Sequence, residues 1–380
     1  MKVLVVTVVH DPSDARIRFR QIPALLRAGA EVTYAAPFTA YGRTAPEGVR
    51  ALDVPRARGR RRGRAVRAAR ALVRAEGPRH DVVLVHDPEL LLALAPLTRG
   101  RARRRDGGVP AGRPVLVWDV HEDTAAALGM RGWLPAPLRP LAARAVVLAE
   151  RWAERHVQLL LAEYSYQERF SRTIPVVPNS TLVPQAQPSP PGTDRVVYLG
   201  RITGARGGED LAELGRALAG SGIRVELIGN ADAEVAGAIA AAHEAGWVHH
   251  HGFVPNDEAL ALLDGACAGI SLLHDEPNYA WSRVTKLMEY MAYGLPVVST
   301  ANPASVELLQ KYDAGVVVPF GTPAEVGAAA AEQVRRLAAD DELRQRLAAN
   351  GRRAAVEDLD WTRDGEAFAA TLQGWVDGAV

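Results

Sequence analysis

Cysteine is almost absent: Cys267 stands alone in 380 residues, which excludes an intrachain disulfide and any zinc site built on thiolates. Lysine is nearly as scarce, with three lysines against 42 arginines, so the positive charge is carried almost wholly by planar guanidinium forks. No apolar run approaches the ~18 residues that a membrane-crossing helix needs. The opening residues 1–10 are too short for a secretory leader and lack a small-residue cleavage site, so they read as a buried first strand and the cytoplasm as the consistent compartment. The G-x-G-x-x-G spacing of a dinucleotide-binding turn is missing, which disfavours a nicotinamide-dependent dehydrogenase. Net charge is only +1, and no fixed-period repeat is present.

What remains is ordinary for a globular chain, 48% apolar and 23% charged, and long enough for two domains of ~190 residues. In the first half, apolar runs of strand length at 3–9, 31–35, 81–85, 115–119 and 157–161 alternate with helical patterns at 15–28, 64–76, 89–98 and 138–155. Parallel strands need such crossovers, so a doubly wound α/β sheet is expected. A Pro-rich stretch at 184–192 breaks the pattern and suits a semi-rigid hinge. Strands then resume at 195–199, 224–228, 248–251, 269–273, 297–299 and 315–317. The expected division is 1–183, the hinge 184–192, a second α/β domain 193–360, and a terminal helix 361–380. In such sheets ligands gather beyond the carboxyl ends of the strands.

Residues 284–298 are the most informative stretch. They read as a short helix with Ser282 as N-cap and Val284, Leu287, Met288 and Met291 as its buried stripe, stopped by Gly294 before an apolar strand. First-turn amides up to Thr285 would then be open to an anion. Glu289 projects about 9 Å along the axis at ~1.5 Å per residue. A carboxylate repels phosphate but accepts hydrogen bonds from sugar hydroxyls, so the two features together point to a nucleotide-sugar. Lys286 is either a phosphate partner or an exposed residue. Upstream, Gly200-Arg201-Ile202-Thr203-Gly204-Ala205-Arg206-Gly207 follows a strand and opens a helix. Its two guanidiniums match phosphate oxygens in shape; the alternative is a plain surface turn.

In the first half, Asp119-Val120-His121-Glu122-Asp123 sets a histidine between carboxylates at a strand's carboxyl end. That suits acid/base or hydroxyl-binding work; a metal site lacks a second histidine at ligand spacing, and a capped polar turn is the bland alternative. His10-Asp11-Pro12-Ser13-Asp14 and His86-Asp87-Pro88-Glu89 also follow strands, although Asp87-Pro88-Glu89 equally reads as a helix start with Pro at its first position. His249-His250-His251 alternates faces of a strand and cannot converge on one metal.

Taken together these segments resemble the GT-B glycosyltransferases, specifically family 4 of retaining enzymes, over nearly the whole chain. The most specific parts are Gly200-Arg201 with Arg206-Gly207, His251-Gly252-Phe253-Val254-Pro255-Asn256-Asp257-Glu258, and residues 285–298; Val177-Pro178-Asn179-Ser180 and Trp361 add to the likeness. The resemblance implies two doubly wound Rossmann-like domains facing across a cleft, the second binding a nucleoside diphosphate-sugar and the first an acceptor. It implies that Arg201 and Arg206 contact the diphosphate, with Gly200, Gly207, Ser282, Thr285, Lys286 and Leu287 around the donor. It also implies that Glu289 holds the ribose, that Gly229, Asn230, Phe253 and Val254 lie near the base, and that His121 faces the donor sugar. Asp11, Asp14, His86, Asp87 and Glu122 fall on the acceptor side, and a helix from Trp361 to Trp375 crosses back onto the first domain. Two departures stand out. Family members often carry a first glutamate eight residues before the second, where this chain has Trp281, with Asp275, Glu276 and Asn278 nearby; and Asp11-Pro12-Ser13-Asp14 replaces a Gly-rich loop.

The reaction implied is hexosyl transfer with retention, from a donor whose uridine base is favoured as the commoner one. No cofactor or divalent metal is expected, because no Asp-x-Asp motif is placed to bridge a cation to the diphosphate. The acceptor is a small molecule or a lipid-linked one. Between Arg56 and Arg79 lie ten arginines and one acid, Glu76, which form either a solvated face or a patch drawn to an anionic membrane at its inner face. The tract lacks interleaved aromatics, so nucleic acid is not expected. A non-hydrolysing nucleotide-sugar epimerase shares the architecture and would convert donor without acceptor, and a non-catalytic sensor would bind donor and transfer nothing.

Overall fold

A computed structural model describes residues 1–98, 113–121, 139–276, 279 and 284–378. The chain divides into two compact units, Met1–Asn179 with Thr362–Val380, and Ser180–Trp361.

Unit 1 is built on a six-stranded sheet ordered β3-β2-β1-β4-β5-β6. Its strands are β1 (Lys2–Val6), β2 (Glu31–Ala36), β3 (Arg50–Asp53), β4 (Val82–Val85), β5 (Val115–Val120) and β6 (Gln158–Leu161), and every neighbouring pair is parallel. Helices α1 (Ile22–Arg27), α2 (Phe38–Tyr41), α3 (Arg62–Glu76), α4 (Leu91–Thr98) and α5 (Arg139–His156) fall between them. Residues 3–6 and all of β4 and β5 are buried, as strands of a parallel sheet covered on both faces must be. In α3 the small residues Ala65, Ala69 and Val73 form the buried stripe, while Arg64, Arg67 and Arg74 are exposed. Strand β3 was not anticipated: at the sheet edge Arg50-Ala51-Leu52-Asp53 is largely exposed and therefore carries no apolar signature.

Unit 2 holds a second six-stranded parallel sheet, ordered β12-β11-β10-β7-β8-β9. The strands are β7 (Arg195–Leu199), β8 (Arg224–Ile228), β9 (His249–Gly252), β10 (Ala268–Ser271), β11 (Val297–Thr300) and β12 (Gly315–Val318). The helices are α6 (Gly208–Leu218), α7 (Ala236–Glu244), α8 (Asn256–Ala261), α9 (Thr285–Ala292), α10 (Pro303–Tyr312), α11 (Pro323–Ala339) and α12 (Asp341–Asp358). The last helix, α13 (Trp361–Val376), groups with unit 1 from Thr362 onward. Alternation along β7 feeds two cores: Val196 and Tyr198 join Leu211 and Leu214 of α6, and Val197 joins Leu287 and Met291 of α9. Cys267 is buried, and burial pushes its thiol up to about 11, so it is an inert packing residue.

The stretch 184–192, expected as a hinge, falls within unit 2. It is bonded along unit 2, with Ser189 held by Asp264, Arg352 donating to the Pro184 carbonyl and Arg344 to that of Pro191. Proline removes donors but leaves carbonyls free, and these arginines use them. Read from β9, the second sheet repeats the 3-2-1-4-5-6 order of the first, so strand order reverses between β1 and β4 and again between β7 and β10. Crevices beyond those two switch points are where ligands of such sheets bind.

Candidate functional site

Both switch points are lined by residues singled out in the sequence. In unit 2, β7 ends at Leu199 and the chain turns through Gly200. Beside it Gly229, at φ 141°, runs so close that an added Cβ would lie 2.1 Å from the Gly200 carbonyl oxygen. A single turn, Gly204–Arg206, follows; Thr203 Oγ1 accepts from the Arg206 amide at 3.2 Å, and left-handed Gly207 passes the chain into α6. A Cβ on Gly207 would meet the Leu272 carbonyl oxygen at 2.2 Å, so only glycine lets the turn press against the end of β10.

Helix α9 supports this turn from below. Tyr290 accepts from the Leu199 amide at 2.8 Å and donates to the Ile270 carbonyl at 3.1 Å, tying α9 to β7 and β10. Of the expected stripe, Leu287, Met288 and Met291 are buried and Val284 is half-buried. The expected N-cap is corrected: the helix begins at Thr285 and its N-cap is Val284, with no side-chain capping bond among the described residues, while Ser282 lies outside them. The exposed alternative for Lys286 is excluded. It is only 5% exposed, its Nζ stands 3.5 Å from the Tyr198 ring centroid, and that nitrogen has no hydrogen-bond partner among the described residues. Burial, then the charge of Arg206, pushes its ammonium well below 10.5, with Glu289 pulling the other way. Glu289 is half-buried.

Arg201 is two-thirds exposed and holds Asp232 in a bidentate pair, Nε–Oδ1 2.6 Å and Nη2–Oδ2 2.7 Å. The Gly229 amide donates to the Gly252 carbonyl at 2.8 Å, which sets Asn230 and the exposed Phe253, with Val254 after it, at adjacent strand ends. His250 bonds the Gly229 carbonyl at 2.8 Å, while His249 and His251 pack edge to face on the other side of the strand. Two residues here were missed from the sequence. His274 follows β10, its amide donates to the Ala205 carbonyl at 3.0 Å, and its Nε2 lies 2.7 Å from Asp210 Oδ2. Asp210 is fully buried in the first turn of α6, with Oδ1 unpartnered among the described residues. Acidic residues in a first turn are common because they complement the helix dipole, so nothing in the sequence sets Asp210 apart from Glu209.

In unit 1 the loops after β1, β4 and β5 converge. Asp119 is fully buried and accepts from Arg16 Nε at 2.6 Å, Arg16 Nη2 at 2.7 Å and Gln21 Nε2 at 2.8 Å. Despite burial, the Arg16 guanidinium holds its carboxyl below the usual carboxylate range. His86 Nε2 lies 2.6 Å from Gln21 Oε1, and burial drives this ring down to about 3, so it is neutral. Asp87 accepts from Thr7 Oγ1 and the Val8 amide, and its carboxyl is pushed up to about 6 by burial. Asp14 accepts from the amides of Arg16 and Ile17 and faces His10. His121 meets His10 at 2.9 Å between Nε2 atoms. Asp11 sits apart, bonding Ser13 and Arg43, and Glu122 lies outside the described residues. Among the described residues no group of three or more His, Cys, Asp or Glu is arranged to hold a metal ion.

The Glycosyl transferase-like family model matches residues 209–369. No curated protein matches the sequence. Among solved structures, HepE of Anabaena in complex with UDP superposes with TM-score 0.69 at 14% identity, over 98% of this chain and 100% of that one. Sucrose-phosphate synthase of Thermosynechococcus elongatus gives 0.73 at 16% identity over the whole of both chains. WaaG, a glycosyltransferase of lipopolysaccharide biosynthesis, gives 0.69 at 13% identity, over 98% of this chain and 100% of that one. At these identities the likeness establishes the fold, the two-sheet α/β architecture known as GT-B.

Proposed function

From the match of residues 209–369 to the Glycosyl transferase-like family model we propose that the chain is a retaining, metal-independent hexosyltransferase. Its donor is a nucleoside diphosphate-sugar, taken as uridine-linked, and its acceptor bears a hydroxyl. The observation that carries this is Lys286: a buried ammonium without a hydrogen-bond partner, beside the Arg206 turn at the switch point of its sheet. A cation so placed is costly until an anion arrives, and a diphosphate supplies one. The Arg206 guanidinium adds a second positive group, and Arg201 a third if it shares itself between Asp232 and the phosphate. Glu289, on the same helix as Lys286, is suited to the ribose hydroxyls. HepE's complexes with UDP and with UDP-glucose support the uridine base.

In the reaction the bond from the anomeric carbon to the phosphate oxygen breaks. The acceptor oxygen bonds that carbon on the same face, and the acceptor's proton passes to the departing phosphate oxygen. Negative charge grows on the diphosphate, where Lys286 and Arg206 already stand; preorganised charge of this kind is usually the largest catalytic term. His121 is assigned to steadying the oxocarbenium-like sugar, and the unit 1 cluster with Asp14, His86 and Asp87 to the acceptor side. A product assay tests the proposal: with UDP-hexose and a panel of hydroxyl acceptors, the expected product is a glycoside of unchanged anomeric configuration. An enzyme that inverted the anomeric centre, or converted donor to its epimer without acceptor, would sink it.

The exposed Arg64, Arg67 and Arg74 of α3 favour a variant of this reading, in which a cytoplasmic enzyme works on a lipid-linked acceptor at an anionic membrane surface. The contact proposed is peripheral; no described helix is long and apolar enough to cross a membrane. Flotation with anionic vesicles should be salt-sensitive and lost on replacing these arginines by glutamine; indifference to both removes the membrane.

A further inference from the structure

The rings of His10 and His121 come from loops after different strands, their centroids 4.6 Å apart and their Nε2 atoms 2.9 Å apart. Two ring nitrogens at that separation hold one hydrogen between them: with none the lone pairs repel, and with two the hydrogens collide. Neighbouring atoms decide whose it is. His121 Nδ1 lies 3.2 Å from the backbone carbonyl of Asp119, which can only accept, so Nδ1 carries a hydrogen. Burial first, then His10, pushes the His121 imidazolium below its ordinary range, so the ring keeps only that hydrogen and offers Nε2 as a lone pair. The bridging hydrogen is therefore on His10 Nε2.

His10 is also set between carboxylates, with Nε2 3.3 Å from Asp87 Oδ1 and Nδ1 3.6 Å from Asp14 Oδ2. Asp14 stays ionised below the usual carboxylate range although burial opposes it, and His10 is the chief cause. Among the described residues the Arg16–Asp119 ion pair and the neutral His86, whose ring centroid is 5.7 Å from that of His121, also face the pair.

We infer that His10 is a positioning residue: an imidazolium clasped by Asp14 and Asp87 that donates Nε2–H to His121 Nε2 and so locks His121 in its neutral Nδ1–H tautomer. The tautomer and angle of a working histidine are set by the bond its other nitrogen makes, and here a second histidine makes it. That His121 works in glycosyl transfer rests on the function proposed above; the hydrogen bond itself is a property of the free protein and is tested without substrate.

The test is nitrogen-15 NMR of the histidine rings in the labelled full chain. Expected are a protonated Nδ1 and an acceptor Nε2 on His121, two protonated nitrogens on His10, and scalar coupling between the two Nε2 nuclei. An Nε2–H tautomer on His121 with no such coupling overturns the inference. His10→Gln places an amide N–H where Nε2 was, so it should keep the His121 tautomer and most of the turnover. His10→Ala should release His121 into a mixture of tautomers and lower turnover about 10–100-fold, with donor KM little changed. Wild-type turnover in His10→Ala, while His121→Ala is inactive, removes the positioning role. Wild-type turnover in His121→Ala instead refutes the assignment of His121 to the reaction and leaves the hydrogen bond standing.

Discussion

At the ends of β4 and β5 in unit 1, the charged groups among the described residues close on one another, Arg16 on Asp119 and His10 on Asp14 and Asp87, while the neutral His86 has an Nδ1 lone pair without a hydrogen-bond partner among those residues. At the ends of β7 and β10 in unit 2, the corresponding crevice is left incomplete. Lys286 Nζ and Asp210 Oδ1 are buried without hydrogen-bond partners among the described residues. The same sheet topology thus presents a finished network in one unit and an unfinished one in the other. A finished network is already organised in the free protein and serves to hold geometry. An unfinished one is costly in the free protein, and at Lys286 that cost would be recovered when an anionic ligand, the diphosphate proposed above, binds.

The largest expected effect tests the closed network. Arg16→Met leaves the buried Asp119 carboxylate uncompensated and should destabilise the protein by about 3–5 kcal/mol, read from denaturant midpoints. Arg201→Ala breaks an ion pair of equally good geometry that is two-thirds exposed on the arginine side, and should cost at most about 1 kcal/mol. Similar losses in the two variants would mean that burial does not separate them.

Next in size is Lys286→Met, where stability and activity should move in opposite directions. Removing an unpartnered buried amine should stabilise the ligand-free protein by about 1–3 kcal/mol. The same change should lower transfer by about 10²–10³, with loss of nucleoside diphosphate affinity. Because burial holds this group well below 10.5, wild type should also take up a proton on binding a nucleoside diphosphate at alkaline pH. Calorimetry in two buffers of different ionisation enthalpy would show it, and Lys286→Met should abolish it. A variant that loses stability and keeps affinity would make unit 2 as closed as unit 1.

The difference between the units also explains what was legible in the sequence. The positions of the central strands and of the turns after them followed from apolar runs and Gly-Arg spacing, because central parallel strands must be apolar throughout. The edge strand β3 escaped because exposure leaves no pattern. Gly200, Arg206, Gly207 and Lys286 were marked as candidates because their neighbours in sequence are also their neighbours in space. The Asp210–His274 pair spans 64 positions and the His10–His121 pair 111, so their meaning exists only after folding. The burial of Lys286 was equally hidden, since its Tyr198 partner lies on another element.

A pH series sharpens the account of unit 1. His86 falls from 6.5 to about 3 in the folded protein, so its contribution to stability is present above 6.5 and is lost as pH falls through about 3. Asp87 rises from 3.8 to about 6, so its contribution is present below 3.8 and lost as pH rises through about 6. The two oppose each other between about 3.8 and 6. Asp87→Asn should therefore steepen the fall in melting temperature on acidification, and His86→Gln should flatten it. Parallel curves for wild type and both variants would show that neither group is coupled to folding.

The smallest effect separates an oriented histidine from an incidental one in unit 2. His274 is 39% exposed beside the Arg206 turn, with a fully buried carboxylate behind its Nε2. Since Asp210 can only accept when ionised, Nε2 bears the hydrogen and Nδ1 is the atom left for a ligand. If that atom meets the donor's sugar–phosphate end, His274→Ala should weaken UDP-hexose binding by up to about tenfold, one hydrogen bond's worth, and leave UDP alone nearly unaffected. Asp210→Asn keeps the shape and an acceptor oxygen but removes the charge, so its effect should be smaller and of the same selectivity. The decisive comparison is the double variant. If Asp210 acts only by orienting His274, adding Asp210→Asn to His274→Ala changes binding no further. If the two effects add, the buried carboxylate acts on the donor by another route, and its unpartnered Oδ1 is the atom to follow.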